Sequence, residues 1–344
     1  MRLFGNTRIW GFLGLSLALS LAVLLAAACR PSANDQLVFV STVDGDPEIV
    51  VIDTNTGEAF PLTDNRSNDI QPRWSPDRKQ IVYMSDQAGD MEINVVDPKG
   101  ETVTRLTHNG GDDQYPRWSP DGKRLAFISG KEGGPEVFLM DANGERATRI
   151  TSNATADILG DWSPDGEWLV YYSEGTMEER GLWLRNPDGV NLVRLTTGKD
   201  REPAWSPDGK YIVFVRWDGG NADLFVLREL ANGAWQDGVE ATRLTQHEAD
   251  DMSPNWSPDA RSIAFVSFRD GSAEIYSMRV DGSKQRRLTK NTVNDLTPDW
   301  SADGSRIAFV SSLYGQSEIF VMNADGSEQR RLTNNTTEDY SPNW

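Results

Sequence analysis

Seven tryptophans, Trp74, Trp118, Trp162, Trp205, Trp256, Trp300 and Trp344, recur at steps of 44, 44, 43, 51, 44 and 44 residues in a chain of 344. A period of about 40–50 residues marks an array of repeated supersecondary units rather than one irregular core. Stacked on the tryptophans, the units share more than the indole. The fullest reads Tyr115-Pro-Arg-Trp118-Ser-Pro-Asp-Gly122, then the apolar run 124–129, then 136–141, Asn143-Gly144 and 148–151. Each unit therefore holds four short runs separated by turn residues, which predicts four antiparallel strands, A to D, with the tryptophan on A.

The turns carry their own chemistry. Ser-Pro-Asp-Gly joins A to B at Ser119, Ser163 and Ser206. Proline presets φ, aspartate bonds nearby backbone, and glycine supplies positive φ. Arg78 and Ala260 replace that glycine and Ala302 replaces the proline, so these turns are expected to be strained or differently shaped. Asn143-Gly144, Asp188-Gly189, Asp281-Gly282 and Asp325-Gly326 mark C–D hairpins. Strands B and C, such as 212–215 and 318–322, are apolar almost throughout, as strands covered on both faces must be. A radial stack of four-stranded sheets with indoles wedged between them meets these demands. The expectation is an all-β, seven-bladed β-propeller. The first B strand, 37–41, has no A strand before it, and the last A strand, 341–344, has no B strand after it. Pairing the two would close the ring and remove the free edges.

The chain divides into 1–28, 29–35 and 36–344. Arg2 and Arg8 precede an apolar run over residues 10–28, and the only cysteine, Cys29, follows directly. This arrangement resembles a bacterial lipobox: a signal peptide (1–28), then a lipidated Cys29 and a short linker (29–35). Ala26 stands where leucine or valine is usual. Ordinary signal cleavage and an uncleaved anchor are the alternatives, and all three place the remainder outside the cytoplasm. Membrane attachment is expected only through the N-terminal lipid. With one cysteine no internal disulfide forms, so packing and closure must stabilise the fold. Hydrophobic residues are only 38 % and the formal charge is −18. That charge argues against nucleic acid and favours cations or basic partners, unless it serves solubility alone.

The string Pro-x-Trp-Ser-Pro-Asp-Gly, followed by an apolar run and Arg-x-Thr, resembles the PD40, or WD40-like, repeat of TolB-type propellers. The Arg-x-Thr element stands at Arg105, Arg149, Arg194, Arg243, Arg287 and Arg331, with Pro61 in its place in the first blade. The resemblance covers 36–344 and implies the fold. TolB proteins carry an α/β domain before a six-bladed propeller. Seven blades and no such domain are expected here, so the resemblance does not carry the Tol–Pal role across.

Two sets of positions could build a site. Five residues before each tryptophan stands an aspartate: Asp69, Asp113, Asp157, Asp200, Asp251, Asp295 and Asp339. These are read as a structural ring at the channel mouth, with cation binding as the alternative. Positions that break the repeat are better ligand candidates. One residue before tryptophan stand Arg73, Arg117, Asp161, Ala204, Asn255, Asp299 and Asn343, expected to face the channel by alternation. Three residues before it stand Gln71, Tyr115, Leu159, Glu202, Ser253, Thr297 and Ser341. Arg73, Arg117, Tyr115, Asp161, Glu202, Asp299 and Trp217 are the expected ligand contacts. The loop 173–181 with Glu174, Glu178 and Glu179, and the insert 229–240 with Trp235, also depart from the pattern.

No catalytic residue, cofactor or metal site is expected. The two histidines, His108 and His247, fall in loops of well-separated blades, and no Gly-x-Ser-x-Gly elbow occurs. The expected role is a monomeric, non-catalytic scaffold of the cell envelope that binds a protein, peptide or glycan at its funnel face. The alternative is a carbohydrate-active enzyme, a glycosidase or lyase working through carboxylates at the channel mouth.

Overall fold

The computed structural model describes residues 35–42, 45–131, 134–153, 155–231 and 233–344. The leader, Cys29 and the linker as far as residue 34 lie outside them. Seven four-stranded antiparallel sheets form the blades. Blade 2 is typical, with strands Asp69–Trp74, Ile81–Ser85, Glu92–Val96 and Val103–Arg105 as A to D. Blade 1 takes its A strand, Asp339–Asn343, from the far end of the sequence, and it pairs with Gln36–Ser41. The chain is thus a seven-bladed β-propeller closed by its C-terminal strand.

Packing follows from the pattern. Strands B and C are buried on both faces because each face meets a neighbouring blade, and Phe39, Phe127, Phe214, Phe265 and Phe309 on strand B are fully buried. The core is therefore a set of inter-blade layers. Trp256 packs on Val213, Val215 and Leu224 of blade 5 beside Ile263 and Phe265 of its own blade. Trp344 does the same between Ala308, Val310 and Ile319 of blade 7 and Leu37 and Phe39 of blade 1. The indole Nε1 of Trp118, Trp162 and Trp256 donates to the carbonyl of Arg73, Arg117 and Ala204 on the preceding blade, at 3.4, 3.2 and 3.1 Å.

The A–B turns keep one shape throughout. Ser119 Oγ donates to Asp121 (2.7 Å) and accepts from the Arg124 N–H (2.9 Å), and the Gly122 N–H returns to the Ser119 carbonyl (2.8 Å). Arg78 and Ala260 hold the glycine geometry at φ 55° and 59° with the same return bond. The shape is unchanged there, and the left-handed conformation is strained in its place.

Strand A holds a feature that the alternation argument did not anticipate. Its register slips between the fourth residue before tryptophan and the first. The residue three before tryptophan lies in the left-handed region in six blades: Gln71, Tyr115, Glu202, Ser253, Thr297 and Ser341, all with φ from 49° to 57°. Blade 4 differs. Leu159 is buried there, and Gly160 replaces the proline of the other blades. A Cβ on Gly160 would lie 2.5 Å from Pro203 Cγ of blade 5, so blade 4 approaches its neighbour where the others carry a ring.

Candidate ligand-binding site

The loops on one face are held by a repeated buried polar set. In blade 3, Glu136 at the start of strand C accepts from Thr151 Oγ1 (2.5 Å) and Arg149 (2.7 Å), while Thr151 Oγ1 also accepts from the Val137 N–H (2.9 Å). Blade 6 repeats this with Glu274, Thr289 and Arg287. The Arg-x-Thr element is thus a clamp between strands D and C. The seven aspartates lie beside it and are at most 2 % exposed. Asp69, Asp157, Asp295 and Asp339 accept from Asn65, Asn153, Asn291 and Asn335 at 2.7–2.8 Å, and Asp113 accepts from Asn109. Asp200 and Asp251 have no such asparagine and take Arg216 and Arg269 through both oxygens. Burial holds the first five above the ordinary carboxyl range, and Asp157 is pushed up to about 6. These carboxylates sit inside the loops and do not open as a ring into the channel.

The residues one before tryptophan do meet around the axis. Asp299 accepts from Asn255 Nδ2 (3.1 Å), Asn343 Nδ2 (3.3 Å) and the Trp344 N–H (2.7 Å). Asn343 Oδ1 accepts from the Trp74 N–H (3.0 Å). Asp161 accepts from the Trp162 N–H (2.8 Å). Asn255, Asp299 and Asn343 therefore tie one A strand to the next. Arg73 and Arg117 do not: among the described residues neither forms an ion pair, and Arg117 bonds only the Pro116 carbonyl (3.2 Å). Burial, then the Arg73 charge, lowers Arg117 to about 9, and burial outweighs both arginines in raising Asp161. At the mouth, Tyr115 is 39 % exposed and Glu202 accepts from the Ser253 N–H (2.9 Å).

The repeat fails at the junction of blades 4 and 5, and a cleft of about 460 Å³ opens there on the same face. Three departures produce it. Gly181 stands where blades 1–3 and 5–7 place a buried acid, the connection from Thr196 to Asp200 is two residues shorter than that from Thr151 to Asp157, and Arg216 occupies the site of a serine. Strand B of blade 5, Tyr211–Asp218, and strand C, Asn221–Arg228, run on as a hairpin of two eight-residue strands. It carries Trp217, 40 % exposed, whose backbone N–H donates to the Lys199 carbonyl (3.1 Å). Glu174, Arg180, Lys199, Asp200 and Arg201 line the cleft with it. Glu174 pairs with Arg201 at 2.7 Å.

Of the expected contacts, the structure places Arg73, Arg117, Asp161 and Asp299 around the axis, Tyr115 and Glu202 at the mouth, and Trp217 in the cleft. Trp217 is a strand residue, within Tyr211–Asp218, and faces solvent. Trp235 packs edge-on against Trp205 at 5.1 Å, and the insert bonds the outer edge of blade 4 through Arg194. Arg180, Lys199 and Arg201 were not singled out from the sequence. The shortened connection before Asp200 was the signal that could have found them. Among the described residues no group of three or more His, Cys, Asp or Glu is placed to hold a metal ion, and no helix is long and apolar enough to cross a membrane.

The four-stranded blades, the Arg-x-Thr clamp and the inter-blade tryptophan are those of a PD40-type propeller. The family model described as the TolB β-propeller domain matches residues 21–115, 111–201, 188–297 and 234–344, and the chain belongs to that family. Similar proteins include the Tol-Pal system protein TolB of Francisella tularensis subsp. mediasiatica, 35 % identical over 82 residues, which are 23 % of this chain and 17 % of that one. A TolB homolog of Chlorobium chlorochromatii is 32 % identical over 120 residues, covering 24 % of this chain and 27 % of its own. The matches thus span well under two thirds of these relatives. Among solved structures, TolB from Acinetobacter baumannii superposes with a TM-score of 0.60 at 20 % identity over 94 % of this chain and 70 % of that one. Oligogalacturonate lyase from Vibrio parahaemolyticus gives 0.67 at 15 % identity over 84 % and 86 %. At such identities the likeness is one of fold.

Proposed function

We propose that this chain is a lipid-tethered propeller of the bacterial cell envelope that binds a protein, peptide or glycan at its funnel face without catalysing a reaction. The observation that carries the reading is the cleft between blades 4 and 5. It is a built departure from an otherwise regular repeat, with an exposed indole on an ordered hairpin beside unshared cations. Exposed aromatics beside arginine are the side chains that dominate recognition surfaces. The envelope setting rests on the basic, apolar and cysteine-terminated leader ending at Cys29.

Affinity capture from envelope extracts tests the reading, with the full chain compared with Trp217→Ala and with an Arg73→Ala/Arg117→Ala variant. At least one component should be retained by the parent and lost from a variant of unchanged melting temperature. Equal recovery by all three sinks the funnel-face site. Turnover in a glycan hydrolysis or lyase assay would replace binding with catalysis. Replacing Cys29 with serine should release the protein from membranes, and unchanged membrane attachment would remove the lipid tether.

A further inference from the structure

We propose that the cleft between blades 4 and 5 receives an acidic sugar residue of a glycan, with Trp217 as its stacking platform and Lys199 and Arg180 as partners of its carboxylate. This rests on the binding role proposed above and names its ligand. The distribution of charge inside the cleft is the first argument. Asp200 is consumed by Arg216 through both oxygens, at 2.6 and 2.8 Å, and Glu174 by Arg201. Lys199 and Arg180 have no carboxylate partner among the described residues. The cleft is thus a local cationic site on a chain of charge −18. Repulsion from the rest of the surface is screened beyond about 8–10 Å at ordinary salt, so short-range pairing decides.

Shape is the second argument. The bond from the Trp217 backbone N–H to the Lys199 carbonyl joins the two segments, and both residues line the cleft. A pyranose offers an apolar C–H face and a uronate carboxyl at its edge, which matches an aromatic platform with a cation beside it. The volume of about 460 Å³ suits one or two sugar rings. A neutral sugar would leave both cations unpaired, and an acidic peptide would leave the indole bare.

Calorimetric titration of the full chain with three probes tests this: a glucuronate-bearing trisaccharide, its glucose counterpart, and a peptide of aspartate and glutamate. The uronate should bind, and Trp217→Ala and Lys199→Glu should each weaken it at least about tenfold. Both residues are exposed, so an unchanged melting temperature separates lost affinity from lost fold. Equal binding of the neutral sugar, binding of the peptide alone, or uronate binding indifferent to both substitutions would overturn the assignment. So would binding by none of the three. If an envelope component still depends on Trp217 while no uronate binds, the scaffold reading stands and the acidic-sugar reading falls.

Discussion

At the scale of single residues, the repeat shows where a side chain is used and where it is only tolerated. Ala260 takes the glycine position of its turn at φ 59°. Ala260→Gly should stabilise the protein by about 1 kcal/mol, read as a rise in the denaturation midpoint. Arg78 is not an equivalent test, because its guanidinium lies 4.3 Å over the Trp74 ring and bonds the Gln36 carbonyl. Asp157 gives a pH dependence of unusual sign. Burial pushes its carboxyl up to about 6 in the folded chain against 3.8 ordinarily. The folded state therefore binds a proton that the unfolded state does not, and stability rises as pH falls between about 6 and 4. The other raised aspartates act in the same direction. Thermal melts should move upward from about pH 7 to about pH 5, with Asp157→Asn flattening the slope because it keeps an acceptor for Asn153 without the charge. A flat profile in the parent would contradict the burial argument.

At the scale of elements, the Arg-x-Thr clamp can be measured by comparing two blades. Thr289 Oγ1 serves both the Ile275 N–H and Glu274, whereas Thr196 Oγ1 serves the Leu182 N–H and has no acid beside it, because Gly181 stands there. Thr289→Val should cost about 1–3 kcal/mol, and Thr196→Val should cost less, in chemical denaturation. Equal costs would mean that the acid adds nothing to the clamp. What could be read from the sequence follows the same division. The strands, the turns and the inter-blade indoles rest on residue types with one dominant conformational or packing use, so Trp, Asp-Gly and the apolar runs revealed them. The bulge was hidden because Gln71, Tyr115, Glu202, Ser253, Thr297 and Ser341 share no side-chain chemistry; their common property is backbone shape. The cleft was hidden for another reason. It is produced by a glycine in place of an acid, two absent residues and an arginine in place of a serine, so its basic lining stands out only when blade 4 is superposed on its neighbours.

At the scale of the whole molecule, closure of the ring concentrates in a short strand. Residues 339–343 pair with Gln36–Ser41, and Trp344 fills the layer between blades 7 and 1. Trp344→Ala should cost about 3–5 kcal/mol by emptying that layer. Deletion of residues 340–344 should lower the melting temperature further and promote association through the exposed edge of strand B in blade 1. A deletion variant that melts and stays soluble like the parent would refute closure by this strand. The same joint has a mechanical meaning. Gln36–Ser41 enters the fold flanked on both sides, by the C-terminal strand and by Glu48–Asp53. Asp35 just before it is held by Arg306 of blade 7 and by the Thr54 N–H. Tension applied along the chain from its N-terminal side would therefore load two hydrogen-bonded seams in parallel shear, rather than peel an outer strand one bond at a time. The place where the ring is joined is also the place best built to resist a pull.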